Sequence, residues 1–403
     1  MENIVVTHPG AQHSYRLAYA IQKANRLKYY ISSMYYRPSY FPYSLFNKPS
    51  VVATLKKRHL AGLDEHKVRE FIWLEAIDQA FQRVMGMSQQ YANIVSWRCH
   101  YFDKLVGKRY MNNAVKTVIA YPDSALHTFR AMKKYGGTCV IDAPIQHHAY
   151  GDRIFKEEAT LHPEFAQSLL SAGDNTDGRM DEEYALADYI AIPSEFVRTG
   201  FEAAGLGHKL VKIPYGTHLK PATSDEITYY QKGQPLKLVY VGQITQRKGI
   251  KYALEAVKIL RQRGVPVEFS LVGGISSCHD ALAPYSDYFT HIPFMLRDDL
   301  RKLLLQQHVF ILPSLLEGSS LALMEAIATG LVPIVSENTG AEAIRNNGYI
   351  LPIRDHIGIA DKVQYLYENP DQVNQMKLAS LDIIQQFTWE VYYQNWIQFA
   401  AKL

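Results

Sequence analysis

Two glutamates, Glu317 and Glu325, stand eight residues apart in the run ILPSLLEGSSLALMEAIATG, which covers residues 311–330. The apolar stretch 309–313 ends at Pro313 and predicts a buried strand. A loop over 314–319 follows, and the amphipathic run 321–329 predicts a helix stopped by Gly330. Ser319 or Ser320 suits the N-cap. The unpaired N–H groups and partial positive charge of a helix N-terminus receive an anion such as a diphosphate. Carboxylates pointed at that anion would repel it, so both glutamates want neutral hydroxyls on either side of it, such as those of two sugar rings. Two glutamates at this spacing also describe a solvated helix face. Glu325, however, is flanked by Leu323, Met324, Ala326 and Ile327. The second chemical feature is Arg247-Lys248-Gly249, which follows a predicted strand at 238–241 and Gly242 and precedes a predicted helix at 252–263. Adjacent cations in a strand-to-helix loop, beside glycines that permit close backbone approach, suit a diphosphate leaving group.

The segment EGSSLALME resembles the donor-sugar signature of retaining glycosyltransferases with the GT-B fold, of the family-4 (glycosyl transferases group 1) type. In that family the first Glu contacts the transferred sugar, the residues after it offer N–H groups to the diphosphate, and the second Glu binds the ribose. The resemblance implies Glu317 on the sugar, Ser319, Ser320 and Leu321 on the diphosphate, and Glu325 on the ribose. Arg247 and Lys248 match the family's cationic loop, and Gln243 stands where an Arg often follows the first Gly. Further likenesses run in order: ADYIAIPSEF at 187–196, KIPYG at 212–216, FSLVGG at 269–274 and FTWE at 387–390. The implied fold is α/β, a GT-B arrangement of two Rossmann-like domains facing across a cleft. Residues 1–215 form the acceptor domain, 216–235 a linker and 236–385 the nucleotide-sugar domain. A final helix, 386–403, crosses back onto the first domain.

The positioning elements follow from the apolar pattern. A strand is expected at 3–7, a helix at 15–24, and buried strands at 118–120 and 139–141. Open parallel sheets bind ligands at the C-terminal ends of their strands. Gly10, in the loop after the first strand, therefore stands where the family brings donor phosphate to the backbone, and a simple turn explains it equally well. His147, just past the strand at 139–141, matches the family's active-site His, with His148 the runner-up. Asp142 either orients an imidazole or serves a turn. Phe294 and Met295 are expected beside the nucleotide base.

A chain of 403 residues with 47% apolar and 20% charged content fits two soluble domains. No run approaches the ~18 apolar residues of a membrane span. The opening MENIVV lacks a basic signal head, so the protein is expected in the cytosol, with peripheral attachment to the inner membrane face an expectation of its basic segment. Cys99, Cys139 and Cys278 read as reduced thiols. There is no GxGxxG for NAD and no P-loop. No Asp-x-Asp is present to hold a metal on a diphosphate, and the adjacent His147 and His148 are not expected to share an ion. No metal and no cofactor are expected beyond the nucleotide-sugar donor, UDP- or GDP-linked. The acceptor is expected to be a glycan or a lipid-linked group. A net charge of +4 does not point to nucleic acid. A catalytically silent sugar-nucleotide or glycan binder is the alternative, and it would be expected to have lost Glu317, the cations or the His. Between 98 and 134, eight basic residues face only Asp103 and Asp123, with aromatics interleaved. Such a segment is either a solvated face or a contact with anionic membrane.

Overall fold

The computed structural model describes residues 2–10, 12–45, 48–85, 89–169 and 178–403. Its first sheet contains β1 (Ile4–His8), β2 (Leu27–Ser32), β3 (Val68–Glu70), β4 (Thr117–Ala120), β5 (Thr138–Asp142), β6 (Tyr189–Ile192) and β7 (Leu210–Lys212). The second contains β8 (Leu236–Val241), β9 (Val267–Val272), β10 (Thr290–Ile292), β11 (Val309–Leu312), β12 (Val332–Ser336) and β13 (Tyr349–Leu351). The strand orders are β3-β2-β1-β4-β5-β6-β7 and β10-β9-β8-β11-β12-β13. Every pairing is parallel. Both sheets are thus doubly wound, and each reverses its strand order beside its first strand, at β1/β4 and at β8/β11. That is where a crevice opens beyond the strand ends.

The strands read as continuous apolar runs because helices cover both faces of each sheet. In β1 the side chains of Ile4 and Val6 enter one core while Val5 enters the other. This is the period of two expected of a strand. The helix Ser14–Lys23 begins at His13 and covers the first of these faces. The C-terminal helix Trp389–Ala400 lies on the same face, burying Trp389, Tyr392, Trp396 and Phe399 beside Leu17 and Ile21. It starts at Thr388, whose hydroxyl accepts from Val391 N. Gly216 lies so close to it that a Cβ would fall 2.3 Å from Trp389 N. The connecting stretch 216–235 does not span open solvent. Leu219 and Tyr230 enter the second-domain core, and Ala222 N bonds Ala328 O at 2.7 Å.

Candidate active site

The second-domain half of the site is built at the ends of β8 and β11. Gly242, at φ 138°, turns the chain out of β8. The loop then runs to Gly249, which is left-handed at φ 72° and starts the helix Ile250–Gln262. A Cβ at Gly249 would fall 1.9 Å from Pro313 O, so this close crossing of the two loops requires glycine. Leu315 N bonds Arg247 O at 2.9 Å and couples them further. The outcome is a three-charge cluster. Arg247 Nη1 and Lys248 Nζ both lie 2.9 Å from Glu317 Oε1. Burial by itself would raise the Glu317 carboxyl, but Lys248 and Arg247 together outweigh it and hold it below the usual carboxylate range.

The helix Leu321–Ala328 starts beside this cluster. Ser320 is its N-cap, with Oγ accepting from Leu323 N at 3.3 Å. Ser319 Oγ is buried and has no hydrogen-bond partner among the described residues, so it remains able to donate to a phosphate oxygen. Glu325, one turn further on, is half-buried. Burial raises its carboxyl to about 7, partly offset by Arg297.

The first domain supplies the facing wall from the ends of β1, β4 and β5. His8 closes β1, and its Nδ1 accepts from Gly10 N at 2.7 Å. Its imidazole is buried edge-on against Tyr121, and burial lowers its pKa to about 4. After β5, Asp142 binds His13 Nε2 at 2.8 Å, so Asp142 orients an imidazole, though that of His13. The two candidate histidines part company. His147 caps the helix His148–Leu161, accepting from Ala149 N, and turns inward against Tyr184 and Phe201. Burial, then the neighbouring His148, lowers its pKa to about 4. His148 is the one that lines the cleft, its Nε2 2.8 Å from Asp181 Oδ1.

His147, His148 and Asp181 place one ligand atom each within 4.8 Å of one another. The adjacency of the two histidines did not suggest this. The N-cap turn brings their rings to 4.3 Å, tilted by 34°. The bond from Ala149 N occupies His147 Nδ1, however, so the neutral ring carries its proton on Nε2, the nitrogen nearer Asp181.

The cleft itself gathers His8, Tyr121, His148 and Asp152 from the first domain against Arg247 and Leu316 from the second. Gln12, after Gly10, is also in its lining, whereas Gly10 is not. Of the expected donor-side residues only Arg247 is in this lining; Lys248, Glu317, Ser319, Ser320, Leu321, Glu325, Phe294 and Met295 are not. Phe294 is 67% exposed with Lys57 Nζ 5.0 Å from its ring, and Met295 packs on the second-domain core. Tyr121, Asp123 and Asp152 escaped the sequence reading. The available signal was their place at or just beyond the strand ends of a parallel sheet, or on the first turns of the helix that follows.

The two halves are held together by contacts of large sequence separation. Ser194, the N-cap of the helix Glu195–Ala203, donates to Gly318 O at 2.6 Å. A Cβ at Gly318 would lie 1.7 Å from Pro144 O, so the loop carrying Glu317 meets the first-domain backbone directly. Gly318→Ala should therefore force the domains apart at the reaction centre. Turnover is expected to fall on the order of 10²-fold, because a misplacement of about 1 Å suffices for that. Nucleotide binding by the second domain should survive. Steady-state kinetics beside a nucleotide titration check this, and equal losses in both would contradict it.

The facing parallel-sheet domains, the cleft between their strand ends and the returning C-terminal helix define a GT-B fold. Residues 235–369 match the family model of glycosyl transferases group 1. Among curated relatives, the amylovoran biosynthesis glycosyltransferase AmsK of Erwinia amylovora is 29% identical over 185 residues, 42% of this chain and 46% of its own. The UDP-Gal:alpha-D-GlcNAc-diphosphoundecaprenol alpha-1,3-galactosyltransferase of Escherichia coli is 32% identical over 124 residues, 28% of this chain and 32% of its own. The chain thus spans about half or less of the length of these relatives. Among solved structures, TarM superposes with TM-score 0.64 at 11% identity, covering 99% of this chain and 98% of its own. Anabaena HepE, in complex with UDP and glucose, gives TM-score 0.59 at 12% identity over the full length of both chains.

Proposed function

We propose that the protein is a retaining glycosyltransferase that moves a hexose from a nucleotide diphosphate sugar to a glycan or lipid-linked acceptor. The observation that carries this reading is the cluster of Arg247, Lys248 and Glu317 beside the helix N-terminus at Ser320. Two cations and a set of N–H groups converge where a diphosphate would leave. Fixed charges aimed at developing leaving-group charge stabilise a transition state without reorganising. They also supply the positive charge that a metal would otherwise bring, so the reaction we propose is metal-independent.

Glu317 spends Oε1 on both cations, and we assign Oε2 to the hydroxyls of the donor sugar. A carboxylate held ionised by two cations positions the sugar and favours cationic character at the anomeric carbon. It does not serve as a covalent nucleophile, and the diphosphate departs on the acceptor's face. His148, rather than His147, is the histidine we place beside the reacting groups, because it lines the cleft. Glu325 is assigned to the ribose. The silent-binder alternative is not favoured, since Glu317, both cations and a cleft histidine are all in place.

The test is a panel of UDP- and GDP-hexoses, read by thermal shift and by slow hydrolysis of the donor. UDP sugars come first, given the UDP bound to HepE and to the pneumococcal O-GlcNAc transferase GtfA. A ligand at 100 times its Kd adds about 2.7 kcal/mol of stability. Failure of every nucleotide to stabilise the protein would defeat the reading. Glu317→Gln should lower turnover strongly while leaving nucleotide affinity near that of the wild type. Glu325→Ala should weaken UDP or GDP binding by about 10- to 100-fold, the loss expected of one hydrogen bond to a charged group. Calorimetric titration of both variants separates the roles, and equal losses of affinity would refute the assignment.

A further inference from the structure

The basic segment 98–134 does not form one face. It crosses a helix, β4 and a further helix, and three of its eight basic residues are held in ion pairs. Arg98 pairs with Asp78, Arg130 with Glu182 and Lys133 with Asp188. Phe102 and Phe129 are fully buried. Among the described residues, an apolar surface with no covering element overlaps its start, on two helices inserted between β3 and β4.

The helix Ile72–Met85 is turned inside out for a solvated element. Its buried positions include Glu75 and Asp78. Trp73, Phe81 and Val84 face outward at 43%, 38% and 84% exposure, with Ala76 and Ala80 between them. These positions recur at helical spacing and form one apolar stripe. The helix Gln89–Tyr110 adds Trp97 and Tyr101, stacked at 5.6 Å, with Tyr101 5.8 Å from Trp73. Further along the same face stand the exposed Lys104 and Lys108, at spacings of three and four.

The charge distribution is one-sided. The carboxylates of this region, Glu75, Asp78 and Asp103, are all buried, paired with Arg58, Arg98 and Arg179. Arg83, Lys104 and Lys108 are exposed, as are Lys56 and Lys57 nearby. Beside the stripe runs a groove of about 630 Å³, lined by Met34, Pro42, Tyr43, Val51, Leu55 and Ile72. Met34 and Ile72 each stand two residues beyond a strand end, those of β2 and β3, so the groove opens on the same edge of the sheet as the cleft.

The geometry points to a docking surface for an anionic lipid bilayer. Trp and Tyr favour the headgroup region, the apolar stripe enters the acyl boundary, and the cations meet phosphates. Exposed apolar faces of this extent are rare and mark sites of contact with a protein, a membrane or a ligand. The absence of an exposed carboxylate on these two helices fits a negatively charged cover. Docked in this way, the cleft edge would lie close to the membrane plane. The inference does not depend on the transfer reaction.

The test uses the full chain with vesicles of mixed phosphatidylglycerol and phosphatidylcholine, and with phosphatidylcholine alone. Trp389 and Trp396 are buried, so a shift in tryptophan emission reports Trp73 and Trp97. The chain should co-sediment with the anionic vesicles at low salt with a blue-shifted emission, and release as salt screens the charges. Each basic side chain near such a surface adds on the order of fivefold to partitioning. Lys104→Glu with Lys108→Glu should therefore weaken binding by at least about tenfold. Phe81→Glu with Val84→Glu should abolish the emission shift. Unchanged circular dichroism and nucleotide titration would show that both variants are folded. Equal partitioning onto neutral vesicles, or binding indifferent to both pairs, would overturn the inference. So would a dimer in solution that dissociates on Phe81→Glu with Val84→Glu, because the face would then belong to a second copy.

Discussion

Replacing Lys248 by Ala is expected to cut turnover by ~10²- to 10³-fold, the usual effect of deleting one preorganised stabiliser of transition-state charge. Lys248 Nζ and Arg247 Nη1 share the same oxygen of Glu317, and Gly242 lies against the Lys248 stem, where a Cβ would meet Nζ at 3.4 Å. The ammonium is thus fixed by its surroundings before any substrate arrives. Arg247 remains in the variant, bonded to Leu316 O as well as to Glu317, so the loop should keep its shape. The loss should fall mainly on kcat, with a smaller effect on nucleotide affinity, because leaving-group charge develops only in the transition state. Steady-state rates at saturating donor, set beside a UDP or GDP titration, measure both. A rate within a few-fold of the wild type would remove the diphosphate from this loop.

The second large effect is expected at Glu158, far from the motifs. This fully buried carboxylate of the first domain accepts from Gln246 Nε2 at 2.6 Å, Tyr252 Oη at 2.7 Å and Arg354 Nε at 2.8 Å. All three partners belong to the second domain, and Gln246 directly precedes Arg247. Glu158→Ala removes the acceptor shared by Gln246 Nε2 and Tyr252 Oη and leaves the Arg354 guanidinium with Glu157 alone. Breaking a buried pair by removing one partner costs ~3–5 kcal/mol. The thermal midpoint should fall by at least about 5 °C. Turnover should fall with it, since the cationic loop loses its tether to the facing domain. Differential scanning calorimetry measures the first effect and assay well below the midpoint the second. An unchanged midpoint would show that the interface does not rely on this residue.

Much of the fold was legible because its signals are local. The strands at 4–8, 117–120, 138–142 and 309–312 announce themselves as short apolar runs, and observed ends fall within two residues of expectation where they differ. Residue type narrowed the N-cap to Ser319 or Ser320, and the structure selects Ser320; residue type also marked the glycines of the cationic loop as points of close approach, and Gly249 proves left-handed. The two helices between β3 and β4 were not foreseen. Trp73, Phe81, Trp97 and Tyr101 face outward while Glu75, Asp78 and Asp103 are buried among Leu74, Phe102 and Val106, so neither face shows a clean apolar pattern.

The sequence by itself determined two parallel α/β units, a cation pair after one strand, and two glutamates flanking a helix start after another. Each is a property of residues within about ten positions of one another, where backbone preference and apolar period are decisive. Tertiary structure alone decided which of two adjacent histidines faces the cleft, since a single N-cap turn sends His147 into the core and His148 to the wall. It alone placed Glu317 on both cations, 69 and 70 residues away. It alone set Glu158 against Arg354 and Gly318 against Pro144. Such contacts join loops at the ends of strands in separate sheets, and no period along the chain records where two sheets meet.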